Sequence, residues 1–283
     1  MEAIKQIIPL IPEQYASQIR DEEFQTLEEI RFRSGYPVRM RYRHGERAVW
    51  PRAEQAVVEE VLQRACQRSI YAHTQTLVNG YVTVFGGHRI GVCGTGVWDG
   101  DRIEFLKNPS SLNIRIAKQW LGFADSVIQS IRGSALIFGP PGCGKTTLLR
   151  DLIRQLSDKR QQNVGVADER GELSAMSGGQ PQLDLGAKTD VMVQLPKGHA
   201  IMCLLRSMNP QWIAVDEITT PQDIAVMEDA AYCGVNFLAT AHGSSMEDLY
   251  HRPLYRNMME KKIFCQIILM DTDKRYRLED LVV

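Results

Sequence analysis

The chain lacks a long apolar run. None of its 283 residues belong to an uninterrupted hydrophobic segment near the roughly 18 residues that a membrane-spanning helix requires. The first residues, MEAIKQIIPLIPEQY, include a short apolar run but no basic segment followed by a small-residue cleavage site, so we expect no secretory signal. These absences argue against a membrane-inserted protein, whereas docking onto a membrane complex remains open.

Paired cysteines are also missing. The cysteines are widely scattered and form no CxxC pair, which argues against a zinc site and against a disulfide framework. Such usage fits a reducing cytosol, so we expect a cytoplasmic protein, or one held at the membrane periphery by protein partners. The six positions are Cys66, Cys93, Cys143, Cys203, Cys233 and Cys265.

An excess of positive charge is absent as well. The formal net charge is −1, so the chain has no global basic field of the kind that attracts nucleic acid. Residues 31–52 are an exception, because they contain seven arginines against the single acid Glu46. Arginines that alternate in a strand-like run are typical of a solvated sheet face. We therefore do not expect a nucleic-acid partner, although this stretch is the one feature that would support it.

The most informative segment is present at residues 134–150, SALIFGPPGCGKTTLLR. A short apolar run ends in a Gly/Pro-rich turn, and the spacing of Gly139, Gly144, Lys145 and Thr146 fits GxxxxGK(S/T), the phosphate-binding P-loop. Glycines let backbone N–H groups converge on phosphate oxygens, and the following helix adds positive potential at its N-terminus. The predicted nucleotide-binding residues are Gly139, Pro140, Pro141, Gly142, Cys143, Gly144, Lys145, Thr146 and Thr147. Lys145 is expected to reach the β- and γ-phosphates, and Thr146 to place its hydroxyl on Mg²⁺.

Strands and helices alternate in the second half of the chain. This order predicts an α/β fold with a largely parallel sheet, because short apolar runs between polar turns mark strands buried on both faces. The predicted strands are 134–138, 163–168, 212–216 and 235–240, and the predicted helices are 145–158, 198–208 and 221–232. We expect an irregular loop at 171–196 with a short strand near 190–195, and a hairpin of 266–270 with 275–278.

The first part of the chain has a different pattern. Alternating strands and one or two helices predict a compact α+β domain over residues 1–118. The predicted strands include 103–105 and 112–116, and residues 2–20 are predicted to form an amphipathic helix broken by prolines. Helical periodicity at 124–131 lies in a connecting segment, 119–132, and the domain that carries the P-loop is predicted to span 133–283.

Two acids follow the apolar run at 212–215, in the sequence WIAVDE. At the end of a buried strand, Asp216 can hold Mg²⁺ through water and Glu217 can polarise an attacking water molecule. A strand-end acidic pair that serves only as a helix cap is the alternative. Together with the upstream P-loop, the pair favours nucleotide hydrolysis.

Two more strand ends carry polar residues. Thr240 and His242, in ATAHG, are candidate γ-phosphate sensors, because ligands bind at the carboxyl edge of open α/β sheets. The turn DERGE at 168–172 could order the catalytic water, and within it Glu169 is a candidate catalytic residue. A structural histidine and a solvated turn are the respective alternatives.

These motifs, with LLRSMNP at 204–210, resemble the secretion ATPase superfamily, the ring ATPases of type II secretion, type IV pili and DNA conjugation. The resemblance implies a RecA-like P-loop NTPase core, ATP and Mg²⁺ as cofactors, and a nucleotide-dependent homo-oligomer, a hexamer, that docks on the cytoplasmic face of a membrane-embedded complex. Two features depart from it. Pilus-type members have Gly where this chain has Asp216, and an Arg where it has Thr219 and Thr220. The Mg²⁺ role of Asp216 therefore rests on general P-loop chemistry.

A narrower resemblance covers both halves of the chain. EEIRFRSGYPVRM at 28–40, NGYVTVFGGHRIGVCGT at 79–95 and the P-loop helix resemble the sporulation ATPases of endospore-forming bacteria. It implies a role at a channel complex formed during endospore development. It also implies that the N-terminal domain packs on a neighbouring subunit's nucleotide, where Arg89 and Arg115 are candidate catalytic residues in trans, with Arg206 as a weaker candidate.

The expected function is thus an ATP-hydrolysing motor that powers or assembles a trans-membrane export or channel complex. Besides a small-molecule kinase, which the lack of an obvious lid with paired arginines disfavours, two other functions remain open from the sequence. One is a ring ATPase that translocates nucleic acid, for which the arginines of 31–52 are the only support. The other is a nucleotide-gated scaffold in which hydrolysis is incidental.

Overall fold

The computed structural model describes residues 6–23, 25–67 and 69–281. These residues form two compact units. The first contains the chain up to Lys118 together with Ala175–Gln182, and the second contains Gln119–Ser174 and the chain from Leu183 onward. The predicted loop at 171–196 is therefore divided between the two units.

The first unit is built on a six-stranded sheet in which every neighbouring pair is antiparallel. Its order is β3-β2-β1-β6-β5-β4. The strands are β1 (Leu27–Arg33), β2 (Tyr36–Tyr42), β3 (Gly45–Ala53), β4 (Tyr81–Val84), β5 (His88–Asp99) and β6 (Arg102–Arg115). The helices described in this unit are α1 (Glu13–Ala16), α2 (Gln55–Ala65) and α3 (Thr74–Val78), with short 3-10 turns between elements.

Alternation along the strands explains the core of this unit. Ile30 and Phe32 are fully buried on one face of β1, whereas Arg31 between them and Arg33 after them face away from the core. Helix α2 covers the apolar face of the sheet with the buried side chains Val58 and Val61. The predicted α+β pattern of this part of the chain is present.

One strand of this unit differs from the prediction, whereas the proline break predicted within residues 2–20 is present. The run 103–105 and all of 112–116 except Ile116 belong to one long strand, β6, because β5 pairs with it along most of its length. The described part of the predicted helix 2–20 contains a 3-10 turn at Ile8–Leu10 and the short helix α1, since prolines interrupt the helical pattern. Residues 2–5 of that prediction lie outside the described residues.

The second unit contains a seven-stranded sheet in the order β13-β12-β7-β11-β10-β8-β9. All its pairs are parallel except β12 with β13, which form the predicted hairpin. The strands are β7 (Ala135–Gly139), β8 (Val164–Asp168), β9 (Thr189–Val193), β10 (Trp212–Val215), β11 (Asn236–His242), β12 (Gln266–Met270) and β13 (Tyr276–Asp280). The helices are α4 (Lys145–Asp158), α5 (Lys197–Ser207), α6 (Pro221–Tyr232), α7 (Met246–His251) and α8 (Pro253–Glu260).

Helices on both faces of this sheet explain its composition. Every residue of β7, β8 and β10 is buried, as expected for parallel strands covered on two sides. Helix α4 packs in one layer, and α5, α6 and α8 contribute to the core on the other side. This arrangement leaves the carboxyl ends of the parallel strands as the edge at which loops meet.

The connecting segment and the region after β11 depart from the prediction. The periodic residues of 124–131 are buried against the layer of α4, but the segment consists of turns and a 3-10 helix at Ile128–Ser130. The Ala124 N–H donates to the buried carboxylate of Asp151, and the N–H groups of residues 127, 130 and 131 close short turns with the carbonyl three residues earlier. Helices α7 and α8 were not predicted.

Candidate active site

The strand order brings together the chain segments that carry the predicted site. β11 lies between β7 and β10, and β8 lies beside β10, so the loops after these four strands share one edge of the sheet. Parallel strands place their carboxyl ends at the same edge, which is where ligands bind in open α/β sheets.

The turn after β7 requires glycine for two different reasons. Gly142 and Gly144 have φ values of 74° and 103°, which side chains rarely adopt. A Cβ on Gly139 would lie 2.6 Å from the carbonyl oxygen of Met270, so this glycine allows β7 and β12 to approach closely. Helix α4 then begins at Lys145 and directs its first N–H groups toward the turn.

Lys145 is the buried cation of the site. Its Nζ donates to the carbonyl oxygens of Gly139 and Pro140, both at 2.8 Å, and lies 2.9 Å from Nδ1 of His242. The residue is only 5% exposed, and burial lowers the pKa of its ammonium group. A phosphate group can satisfy the same three N–H donors, so these contacts fit the predicted role of Lys145 chemically.

Asp216 follows β10 and faces the first turn of α4. The Thr146 hydroxyl lies 3.4 Å from each of its carboxylate oxygens, and the Thr240 hydroxyl donates to Oδ1 at 2.9 Å. Burial raises the pKa of Asp216 to about 6, and the negative charges of Glu172 and Asp168 act in the same direction. Although burial disfavours its ionised form, the Asp216 carboxylate lies beside the Thr146 hydroxyl. These two groups are a suitable pair of ligands for a divalent cation.

The donor set also indicates the kind of cation. Among the described residues, no group of three or more His, Cys, Asp or Glu side chains has the geometry to hold a metal ion. Mg²⁺ commonly takes only one or two protein oxygens and completes its shell with water and substrate phosphates. The pair Thr146 and Asp216 therefore fits Mg²⁺ that arrives with a nucleotide better than a resident transition metal.

Glu217 is held by contacts at both carboxylate oxygens. Its Oε2 accepts from the Arg170 guanidinium at 2.8 Å, and its Oε1 lies 3.3 Å from Nε2 of His242. The backbone has a φ of 53°, and its N–H donates to the Thr240 hydroxyl at 2.8 Å. Burial, and then the charge of Lys145, lowers the pKa of His242, which keeps the ring neutral near pH 7.

The turn after β8 separates residues that are adjacent in sequence. Glu169 forms an ion pair with the buried Lys197 at 3.0 Å, whereas the next residue, Arg170, contacts Glu217. Asp168 is buried and accepts hydrogen bonds from the backbone N–H groups of residues 172, 173 and 174. The structure thus joins Glu169 to the start of α5, whereas Arg170 connects this turn to Glu217.

The candidate arginines of the first unit lie on its sheet. Arg89 and Arg115 are opposite one another in the pairing of β5 with β6. The Arg89 guanidinium lies 3.6 Å from the centroid of the Tyr81 ring, and Arg115 is 3.9 Å from the carboxylate of Glu29. Arg206, the weaker candidate, is exposed at the end of α5 in the other unit.

Three residues that shape this candidate site were missed in the sequence. Arg170 was considered only as part of its turn. Arg150, on α4, is buried and donates to the carbonyl oxygens of Glu172 and Leu173 at 2.7 and 2.9 Å, so it supports the turn after β8. An arginine within the apolar face of the P-loop helix was the available signal. Gly243 was the third, since a Cβ there would meet the ring of Phe138 at 1.9 Å.

We found no helix, among the residues that the structure describes, with the length and apolar character needed to cross a membrane.

Known proteins are similar to this chain both in sequence and in fold. Stage III sporulation protein AA of Bacillus subtilis (strain 168) is 35% identical over 274 residues, which cover 93% of this chain and 89% of that protein. The X-ray structure of the Legionella pneumophila ATPase DotB is similar with a TM-score of 0.58 at 14% identity, covering 95% of this chain and 81% of that one. The crystal structure of the pilus retraction motor PilT with bound ADP gives 0.62 at 15% identity, covering 93% and 82%.

The low identity of the two solved structures makes them informative about the fold alone. They confirm the predicted fold class, an α/β protein with a RecA-like core built on a mostly parallel sheet. The family assignment comes from the sequence, in which residues 2–277 match the family described as Sporulation stage III, protein AA. The chain belongs to the Sporulation stage III, protein AA family.

Proposed function

We propose that the protein is a Mg²⁺-dependent ATPase that acts as the motor of a membrane-embedded channel or export complex during endospore formation. The single observation that carries the catalytic part is the convergence of Lys145, Thr146, Asp216, Glu217 and His242 at one sheet edge. Phosphoryl transfer needs mainly positioning and charge stabilisation, and these residues supply both.

Each group has a chemical role in this proposal. The loop 139–147 binds the phosphates through backbone N–H groups, and Lys145 neutralises the charge that develops on the transferred group. Glu217 orients and polarises the attacking water, since its carboxylate is fixed by Arg170 and His242. Glu169 contributes through its ion pair with Lys197, which holds the turn after β8 against the start of α5.

The Thr146 hydroxyl and the Asp216 carboxylate would hold Mg²⁺ in this site. When bound there, the ion would neutralise charge on the β- and γ-phosphates. Asp216 must be ionised to bind a cation, so we expect the affinity for Mg²⁺ to decrease as the pH falls below about 6.

Glu217→Gln is the decisive test. The substitution keeps the size and shape of the side chain but removes its charge and basicity, so ATP should still bind while turnover falls by about 100-fold or more. Exposed Glu247→Gln, on α7, serves as a matched control and should have normal turnover. Unchanged turnover in Glu217→Gln would remove this residue from the mechanism. Retained function in sporulating cells despite lost turnover would favour the scaffold.

The assembly forms a second part of the proposal. We propose a nucleotide-dependent hexamer whose N-terminal domain, residues 1–118, supplies Arg89 and Arg115 to the site of a neighbouring subunit, with 119–132 as the connection to the domain 133–283. Solution mass with and without a non-hydrolysable ATP analogue tests the ring. Arg89→Ala and Arg115→Ala should retain ATP binding and lower turnover, and wild-type turnover in both would refute their assignment.

We propose that this assembly docks at the cytoplasmic face of a membrane complex. Nucleic acid is disfavoured as its cargo. Arginines of the 31–52 stretch form ion pairs with acids of the same sheet: Arg31 with Glu29, Arg39 with Glu46, and Arg41 with Glu28. Such pairing leaves less free positive charge for a phosphate backbone. Turnover that is stimulated by single-stranded DNA would contradict this part.

A further inference from the structure

The geometry of the site gives a bound nucleotide a direction. The residues proposed to act on the terminal phosphate, Glu217 and His242, lie at the ends of β10 and β11, on one side of the P-loop strand β7. On the other side of β7 lie β12 and β13. A triphosphate with its γ end at Glu217 must therefore extend its nucleoside toward β12 and β13, an inference that rests on the proposed function.

An aromatic surface lies on that side. The rings of Phe123 and Tyr276 meet edge to face, with centroids 5.6 Å apart and an interplanar angle of 84°. Both pack against the same core layer as α4 and Met270. The point where a Cβ on Gly144 would lie is 3.6 Å from the Met270 methyl group and 3.7 Å from the Phe123 ring. Phe123 and Met270 thus flank the N-terminus of the P-loop helix.

Hydrogen bonds fix this surface in place. The Tyr276 hydroxyl donates to the carbonyl oxygen of Phe123 at 2.7 Å, and the next N–H, that of Ala124, donates to the Asp151 carboxylate at 2.7 Å. Asp151 is on α4, so the segment that carries Phe123 is tied both to β13 and to the P-loop helix. Phe123 and Tyr276 are both half-buried residues, so part of the surface of each is accessible to a ligand.

We propose that Phe123 is the platform on which the base of a purine nucleoside triphosphate stacks, flanked by Met270. Tyr276 is a positioning residue that holds the Phe123 backbone through its hydroxyl. An aromatic ring and a thioether bind a base through its face, so both purines are accepted and the smaller pyrimidines bind more weakly.

Calorimetric titration with ATP, GTP, CTP and inorganic tripolyphosphate, each with Mg²⁺, tests the proposal. Phe123→Leu should weaken ATP binding on the order of tenfold, as expected for the loss of one base–aromatic stack, while leaving tripolyphosphate binding unchanged. Phe123→Tyr, which keeps an aromatic ring, should bind ATP with wild-type affinity. Tyr276→Phe should weaken ATP but not tripolyphosphate, which a merely destabilised fold would not do.

Phe105→Leu, at a partly exposed aromatic residue of β6 in the first unit, is the matched control and should bind every ligand normally. Equal losses for ATP and tripolyphosphate in Phe123→Leu, or no loss for either, would overturn the platform. If Phe123→Leu does not fold, the comparison of Phe123→Tyr with Tyr276→Phe decides. A wild-type protein that binds ATP no better than tripolyphosphate also refutes the platform, whereas one that binds neither refutes the proposed ATPase as well.

Discussion

Replacing Asp216 with Asn separates the stability cost of this carboxylate from its function. Burial raises its pKa from 3.8 to about 6, so the folded protein binds a proton more tightly than the unfolded chain does. A carboxyl group with a raised pKa destabilises the fold once both states are ionised, and this cost is lost as the pH falls toward the unfolded value. At about 1.4 kcal/mol per pKa unit, the cost at pH 8 is about 2 to 3 kcal/mol.

Asn has nearly the same shape and can still accept the Thr240 hydroxyl. We therefore expect Asp216→Asn to raise the free energy of unfolding at pH 8 by up to that amount in the absence of nucleotide, with roughly half of the gain remaining at pH 5. The same variant should lose the additional stabilisation that Mg²⁺ gives to the ATP-bound protein.

Thermal unfolding followed by calorimetry at pH 8, 7, 6 and 5 measures both effects. Asp229→Asn, at an exposed carboxylate on α6, is the control and should show no pH-dependent gain. A variant that is less stable than wild type at pH 8, or whose gain does not change with pH, would refute the reasoning about Asp216.

Two further predictions concern neighbouring residues. Arg170→Ala should lower turnover about tenfold with unchanged ATP affinity, because the guanidinium orients Glu217 without belonging to the phosphate loop. Arg170→Lys should recover part of the lost turnover. Steady-state kinetics and direct ATP-binding measurements check both expectations, and weaker ATP binding by Arg170→Ala would contradict them. Gly243→Ala should destabilise the protein by about 1 to 3 kcal/mol, because its Cβ would overlap the Phe138 ring. Gly45→Ala has open space around it and should be neutral in the same unfolding assay.

The site could be predicted as far as its residues obey local rules. A glycine-rich turn before a helix and acids at the end of an apolar strand have a meaning that a single stretch of sequence carries. The partners of the DERGE turn cannot be inferred from a single stretch of sequence. Glu169 points to Lys197, which lies in a later helix, and Arg170 reaches Glu217 across the sheet. Their directions depend on Asp168, which fixes the turn by accepting three backbone N–H groups.

The same distinction applies to the fold. β8 and β10 could be predicted within about a residue, because strands buried on both faces are short continuous apolar runs. The periodicity at 124–131 indicated a helix, since apolar spacing reports burial and not hydrogen bonding. Ala124 and Ile131 are indeed buried, but the backbone between them is mainly turns. Tertiary contacts with α4 therefore override the local pattern.

His242 lies between the Lys145 ammonium group and the Glu217 carboxylate. The Lys145 ammonium has only donors, so its 2.9 Å contact requires Nδ1 of His242 to accept, and the ring proton must then lie on Nε2, facing the carboxylate of Glu217. The lowered pKa of His242 favours this neutral form. In the proposed mechanism, a phosphate that attracts Lys145 weakens its contact with Nδ1 and so changes how strongly Nε2–H binds Glu217. The residue that binds the phosphate and the residue that activates water are thereby linked through one imidazole ring, and Arg170 holds the carboxylate while that link changes.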